Sequence, residues 1–390
     1  MRSDPATRFP IMCLLIITGR CLKPTQNTQL NKGDSMAEIE HPSLSDCDEI
    51  EAFLEECYNH SRRFFTLRWP ASDLRETRDF SNAHIIREDN RIVSLVRIFP
   101  QEAVVYDRRT VIGGIGSVST HPDYRKKGYM IQLMNHCMAK MRQAGYAFSI
   151  LGGDRQRYNF WGYETCGINA KLLFTLRSIE KTGELRTVPV ERFHGQKGVL
   201  EKIKSVHESF FTYISRTANT YERIFSRQVH CYLWYTECEG RFAYLAGQGE
   251  RPATDFVEIG GDKALWMPLI YSVMKRYHLE PVTMFFPAIP NEMWTLFNFC
   301  SWFSLEPFCM VKVLSLARTV DFLLGPSFPE EYTFKVRETG ETYGKGRKIV
   351  ELGEKQWVCA LFGPFVPGEI PADIRHLFPS AFYWWLLDHI

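Results

Sequence analysis

Residues 111–130 read VIGGIGSVSTHPDYRKKGYM, and this stretch constrains the fold more than any other. Ile112, Ile115 and Val118 lie in a short apolar, glycine-containing run that favours a strand. Pro122 ends it, because proline cannot donate to a ladder and restricts the residue before it. Met130, Leu133, Met134, Cys137, Met138 and Met141 then recur at helical spacing, and Gly145 is placed to stop the helix. The order is strand, break, basic loop, helix.

Such an order suits an anion. The first amides of a helix have no intrahelical acceptor and favour negative charge. Gly128 has no Cβ to keep a phosphate from the backbone. Arg125, Lys126 and Lys127 add positive potential at a helix end whose dipole already opposes it, and a bound anion relieves that conflict. No Gly-Lys-Ser/Thr follows, so this is not a P-loop, and the GxGxxG of a dinucleotide site is absent.

The segment Arg125-Lys126-Lys127-Gly128-Tyr129-Met130 resembles the Arg/Gln-x-x-Gly-x-Gly/Ala segment of the GNAT superfamily of acyl-CoA-dependent N-acyltransferases. The resemblance implies that these six residues bind the cofactor pyrophosphate. Met130 departs from the small final residue. Val118 and Ser119 match the strand positions whose backbone meets the pantetheine arm. The cosubstrate implied is acetyl-CoA, with no metal.

Composition narrows the setting. A chain of 390 residues exceeds one ordinary core, so two or three domains are expected. A formal net charge of +2 speaks against a dedicated nucleic-acid binder. Eleven cysteines with no C-x-x-C pair propose neither a zinc site nor a full disulfide framework, and a reducing cytoplasm is the simplest setting. Phe9 to Ile17 is apolar but too short to span a bilayer, so no stable membrane insertion is expected. Residues 1–35 read as a loose extension.

From residue 36 to 167 the pattern is a compact α/β unit. A helix capped near Ser45 carries Ile50, Phe53, Leu54 and Cys57. Strands follow at 85–87, 92–99, 104–106 and 111–119, then the helix 128–144 and a strand at 146–151. Residues 168–305 repeat this order, with paired strands at 232–235 and 242–246, a helix after Gly260-Gly261 and a strand at 282–286, but without the basic loop. Residues 306–390 hold strand candidates at 311–316, 332–336, 348–352 and 358–361, a short helical turn at 374–378, and the apolar ending FYWWLLDHI, which should pack rather than hang free. This plan is similar to the Eis-like (enhanced intracellular survival) acetyltransferases. It implies an α/β and α+β chain: tandem GNAT-like domains, the second lacking a working cofactor site, followed by a sterol-carrier-protein-like α+β domain. The same resemblance suggests a homo-oligomer.

Amide formation from a thioester needs a proton acceptor near the amine and a donor near the departing sulfur. Arg157-Tyr158-Asn159-Phe160-Trp161-Gly162-Tyr163 resembles the Eis-like segment Tyr-Gly-Arg-Phe-Gly-Tyr, which implies that Tyr158 protonates the CoA sulfur; Asn159 and Phe160 replace the Gly-Arg pair. The family's free C-terminal carboxylate acts as base, and the matching group is that of Ile390. Such a carboxylate titrates near 3.5, so burial or a water relay would have to assist it. Asp388 and His389 are alternatives. His121, Asp154, Arg155, Phe64, Phe65 and Trp69 are further candidates for the cleft. The function implied is acetyl transfer to a primary amine, on a small molecule or a lysine-containing peptide. The alternative is a CoA-binding or assembly protein that has lost transfer.

Overall fold

The computed structural model describes residues 37–390 except 62, 184, 227–230, 250–253 and 289. The extension expected over residues 1–35 lies outside the described residues. Asp89 and Asn90 both take positive φ (50° and 62°), as a tight hairpin turn requires and Asn tolerates. They join Ala83–Glu88 to Arg91–Val105 in antiparallel register, and Arg108–Thr120 pairs on the other side. Phe148–Leu151 then adds in parallel. Parallel neighbours need a crossover, and here it is the helix Tyr129–Gln143. Leu133, Met134, Cys137, Met138 and Met141 form its buried stripe. It stops at Gly145 (φ 74°), where Tyr146 N–H donates to Met141 O (3.1 Å) and Gly145 N–H to Arg142 O (3.0 Å), a Schellman ending.

Side chains alternate across a sheet, and this one is buried on both faces. Val96, Ile98, Ile115 and Leu151 meet the helix. Ile112, Phe148 and Ile150 meet Phe322, Phe362, Phe382 and Trp384 from the C-terminal part. Each such side chain contributes roughly 1.5–3 kcal/mol of apolar burial.

Strands cross between the units. Cys309–Val313 inserts between Phe148–Leu151 and Glu164–Cys166, antiparallel to both. Its apolar pattern is read in sequence among the strands of the third unit, but a pattern does not say which sheet accepts it. Thr212–Ile214 pairs with Arg91–Val105. The second sheet runs Trp302–Glu306, Asn169–Phe174, Val282–Pro287, Asp255–Gly261, Arg241–Gln248, Cys231–Cys238, Glu191–Arg192. Asp255–Gly261 and Val282–Pro287 are parallel and joined through the buried helix Trp266–Tyr277, so the strand–helix–strand order of the first unit recurs.

Further on, Tyr332–Val336 pairs antiparallel with Thr342–Gly344 and parallel with Lys348–Leu352. Residues 358–361, expected as a strand, belong to the helix Glu354–Phe362. A four-residue apolar run does not separate a strand from a buried helix turn. Residues 382–385 run between two cores, ahead of a 3-10 turn at Leu386–Asp388. Phe382 and Trp384 enter the one shared by the first sheet and the C-terminal unit, while Tyr383 and Trp385 enter that of the second sheet. Among the described residues no helix is long and apolar enough to cross a membrane.

Candidate functional site

The parallel strands 108–120 and 148–151 stay together for only two residue pairs, Gly113 with Ser149 and Gly114 with Ile150. Both chains continue past that point unpaired with each other, so the strands part and give the site two lips. On one lip, pairing with the strand 91–105 shifts between Gly116 and Ser119, with Ser117 at φ 53°. This bulge leaves Ser117 and Val118 with no strand partner. The carbonyl of Val118 instead accepts from the Tyr58 hydroxyl (2.8 Å). The carbonyl of Ser119 accepts from Ser94 Oγ (2.9 Å).

Beyond the strand, His121 caps the turn Pro122–Tyr124 and the basic loop follows. Lys126 (φ 71°) and Gly128 (φ 83°) are both left-handed. For lysine this costs on the order of 1 kcal/mol. The two stand at the start of a fifteen-residue helix that no side chain caps. Gln132 N–H is the first to find a helical acceptor, Gly128 O (3.0 Å). Among the described residues no acceptor serves the amides of 126 to 131. Arg125 and Lys126 are exposed. Lys127 is drawn aside to Glu88 (2.8 Å) and lies over the Tyr124 ring. Met130 packs with Tyr124 and Tyr129 on the core beneath the helix, so its departure from a small residue is absorbed by the interior.

On the opposite lip, Asp154 accepts from Gln156 N–H (2.9 Å) and starts the short helix Arg155–Tyr158. The Tyr158 ring lies on Gly153, where an added Cβ would overlap it. The residue is 6% exposed. Burial raises its phenol pKa, opposed by the Arg157 guanidinium. Tyr58 is raised too, first by burial, with Ser119, Tyr158 and Arg157 as neighbours. Two protonated phenols therefore share this region. Asn159 closes the altered turn, donating to Tyr163 O (3.0 Å) and Glu164 Oε2 (3.2 Å) and accepting from Lys355. Phe160 points out. Tyr163 is fully buried on Ser149 (2.7 Å) and is structural.

Ile390 reaches the site from the far end of the chain. Its Cδ1 rests on Gly114, at the point where the strands part, and a Cβ there would overlap it. The alternatives beside it are engaged. The Asp388 carboxylate grips Arg216 (2.6 and 2.8 Å). His389 stacks on Trp384 with its Nε2 near the Trp384 carbonyl (3.3 Å), and burial pushes it down to about 4.

The remaining sequence candidates divide. His121 is buried between Glu56 (2.7 Å) and the Asp123 amide (3.2 Å). Arg155 is forked onto Glu164 (2.5 and 2.6 Å). Phe64, Phe65 and Trp69 form an aromatic group with His60 and Tyr58. Phe64, Phe65 and His60 also line a partly open pocket with Ile50, Leu54 and Glu55. The sequence did not mark Tyr58, which joins this group to Val118. It sits one residue past the apolar stripe of its helix, and nothing local distinguishes it. Among the described residues no cluster of His, Cys, Asp or Glu is placed to hold a metal ion.

Residues 38–166, which carry both lips and the loop, match the family model of the acetyltransferase (GNAT) domain. The first unit has a GNAT acetyltransferase fold. Solved structures extend the likeness over most of the chain. A GCN5-related N-acetyltransferase from Kribbella flavida aligns over 91% of this chain and 98% of its own, with a TM-score of 0.67 at 15% identity. One from Anabaena variabilis aligns over 83% and 89%, with 0.62 at 15%. Eis1 from Mycobacterium abscessus aligns over 83% and 90%, with 0.59 at 8%. At these identities what is shared is the fold alone. No curated protein gave a significant match by sequence.

Proposed function

We propose that this chain transfers an acetyl group from acetyl-CoA to a primary amine by direct attack. The observation that carries the reading is the row of unclaimed amides at 126–131, set beside a cleft with Tyr158 on one lip and Ile390 at its root. The loop Arg125–Met130 takes the pyrophosphate, and the strand at Val118 and Ser119, past its last pairing with 148–151, lines the path of the pantetheine arm. The amine nitrogen attacks the thioester carbon. The carbon–nitrogen bond forms, the carbon–sulfur bond breaks, and the departing sulfur takes the Tyr158 proton. Burial keeps that phenol protonated at neutral pH, as a donor must be. The amine proton passes to the Ile390 carboxylate, directly or through one water, taking Ile390 as the last residue of the mature chain. Most of the acceleration comes from holding the two reactants together in a closed site.

By the same resemblance, the second unit is a GNAT-like domain without a cofactor site, the third is sterol-carrier-protein-like, and the chain self-associates. Thiol release from acetyl-CoA across a panel of amines, with intact mass confirming the terminus, tests the reading. Tyr158→Phe is expected to bind acetyl-CoA normally and to lose about 100-fold or more in kcat. Turnover equal to wild type removes Tyr158 from the reaction. Acetyl-CoA binding without turnover by any amine would instead favour a CoA-binding protein that has lost transfer.

A further inference from the structure

Two residues before the end of the chain lies a buried charge cluster that the reaction above does not use. Arg216 is 4% exposed, Glu258 0% and Asp388 6%. The Arg216 guanidinium donates through Nε and Nη2 to Asp388 (2.6 and 2.8 Å) and through Nη1 and Nη2 to Glu258 (3.0 and 2.6 Å). Tyr244 donates to Glu258 (2.8 Å), and the buried His207 ring lies 3.8 Å from it. Each partner comes from a different layer. Arg216 lies two residues past the strand Thr212–Ile214 at the edge of the first sheet, Glu258 sits in the second sheet, and Asp388 belongs to the tail.

Asp388 is held by its backbone as well. Gln101 Nε2 donates to its carbonyl (2.7 Å), while Gln101 Oε1 accepts from Trp384 Nε1 (3.0 Å). Gln101 lies on the strand 91–105, two residues beyond Phe99, which pairs with Gly114. The tail therefore leaves its tether at Gln101 and reaches Gly114 with Ile390, two residues on.

Apolar contacts of Phe382, Trp384 and Trp385 already bind the tail to the molecule. A buried ion cluster is a poor way to add stability, since desolvating three charges offsets most of their attraction. What a forked Arg–carboxylate pair adds is direction: two parallel bonds permit one orientation. We propose that Arg216, braced by Glu258, is a positioning residue that fixes Asp388 and thereby holds the Ile390 carboxylate in one place at the root of the cleft. The inference rests on the acetyl-transfer reading.

Asp388→Asn tests it in the full-length protein, because Arg216 keeps Glu258 and no charge is left unpaired. The expected result is a kcat about 100-fold lower, the loss that a displacement of roughly 1 Å can cause, with KM for acetyl-CoA unchanged. Removing Ile390 should give the same loss, and the two changes together no more than either alone. Carboxypeptidase should release Ile390 faster from Asp388→Asn than from wild type. Gln101→Ala, which cuts the other tether without touching a buried charge, should reproduce both effects if Asp388→Asn does not fold. Wild-type kcat in Asp388→Asn or Gln101→Ala, with activity lost on removing Ile390, overturns the positioning role and leaves acetyl transfer standing. A wild-type protein that releases no thiol with any amine overturns acetyl transfer itself. In that case carboxypeptidase release alone judges the tether, and an unchanged rate in both variants overturns it.

Discussion

At the scale of single residues, Gly114 is where the parting strands and the tail come together. It pairs with Ile150 at the last rung before the strands diverge, and Ile390 lies on its Cα. Gly114→Ala would push against the end of a flexible side chain rather than against backbone, so the fold should lose only about 1–3 kcal/mol. Ile390, however, must move. The expected result is a kcat at least about tenfold lower with acetyl-CoA binding retained, read by initial rates and a thermal melt. An unchanged kcat would mean that the tail's position does not matter to the reaction. Tyr58 and Arg216 show what a sequence leaves unsaid at this scale. The loop 125–130 could be proposed from sequence because its six residues are contiguous and would act through their own backbone. The bond from Tyr58 spans 60 positions, that from Arg216 to Asp388 spans 172, and that from Gln101 to Asp388 spans 287. No local pattern encodes such meetings.

At the scale of elements, the start of the helix Tyr129–Gln143 is the decisive piece. Its cap, Gly128, sits at φ 83°, a conformation that costs an alanine roughly 1–2 kcal/mol. Gly128→Ala should therefore raise KM for acetyl-CoA several-fold, by distorting the amide row and placing a methyl against the phosphate, while kcat at saturation changes little. Initial rates over a cosubstrate series check this, and an unaltered KM would remove the loop from binding. The longer helices of the first two units were readable from their periodicity, the stop at Gly145 included, while short ones such as Ala218–Ser226 and Pro290–Phe297 were not. The membership of Cys309–Val313 and the helical state of residues 358–361 were not, because both depend on which partner surface an apolar run meets.

At the scale of the whole molecule, buried titratable groups set how the fold answers to acid. His84 and His207 are 0% exposed, and burial pushes them down to about 3 and about 4. Unfolded histidine takes its proton near pH 6.5. Between pH 6.5 and about 4 the unfolded chain thus binds more protons, and stability falls as the pH falls, by about 1.4 kcal/mol per unit for each histidine. His389 acts in the same direction. Asp388 opposes them: burial pushes it up to about 6 against the pull of Arg216, so it favours the folded state on acidification from pH 6 toward 3.8. Three groups against one predict a lower melting temperature at pH 5 than at pH 7. A flat or rising profile would show that these histidines are not buried in their neutral form.

The interleaved strand Cys309–Val313 also governs when the cleft can exist during synthesis. The first sheet lacks an interior strand until the ribosome has made residue 313, and Ile390 must then arrive to reach the cleft root. A nascent chain halted after the GNAT-matching segment would expose the Phe148–Leu151 edge, open to whatever strand comes first. Completion of the first sheet thus waits for residues far beyond the segment that matches the GNAT domain.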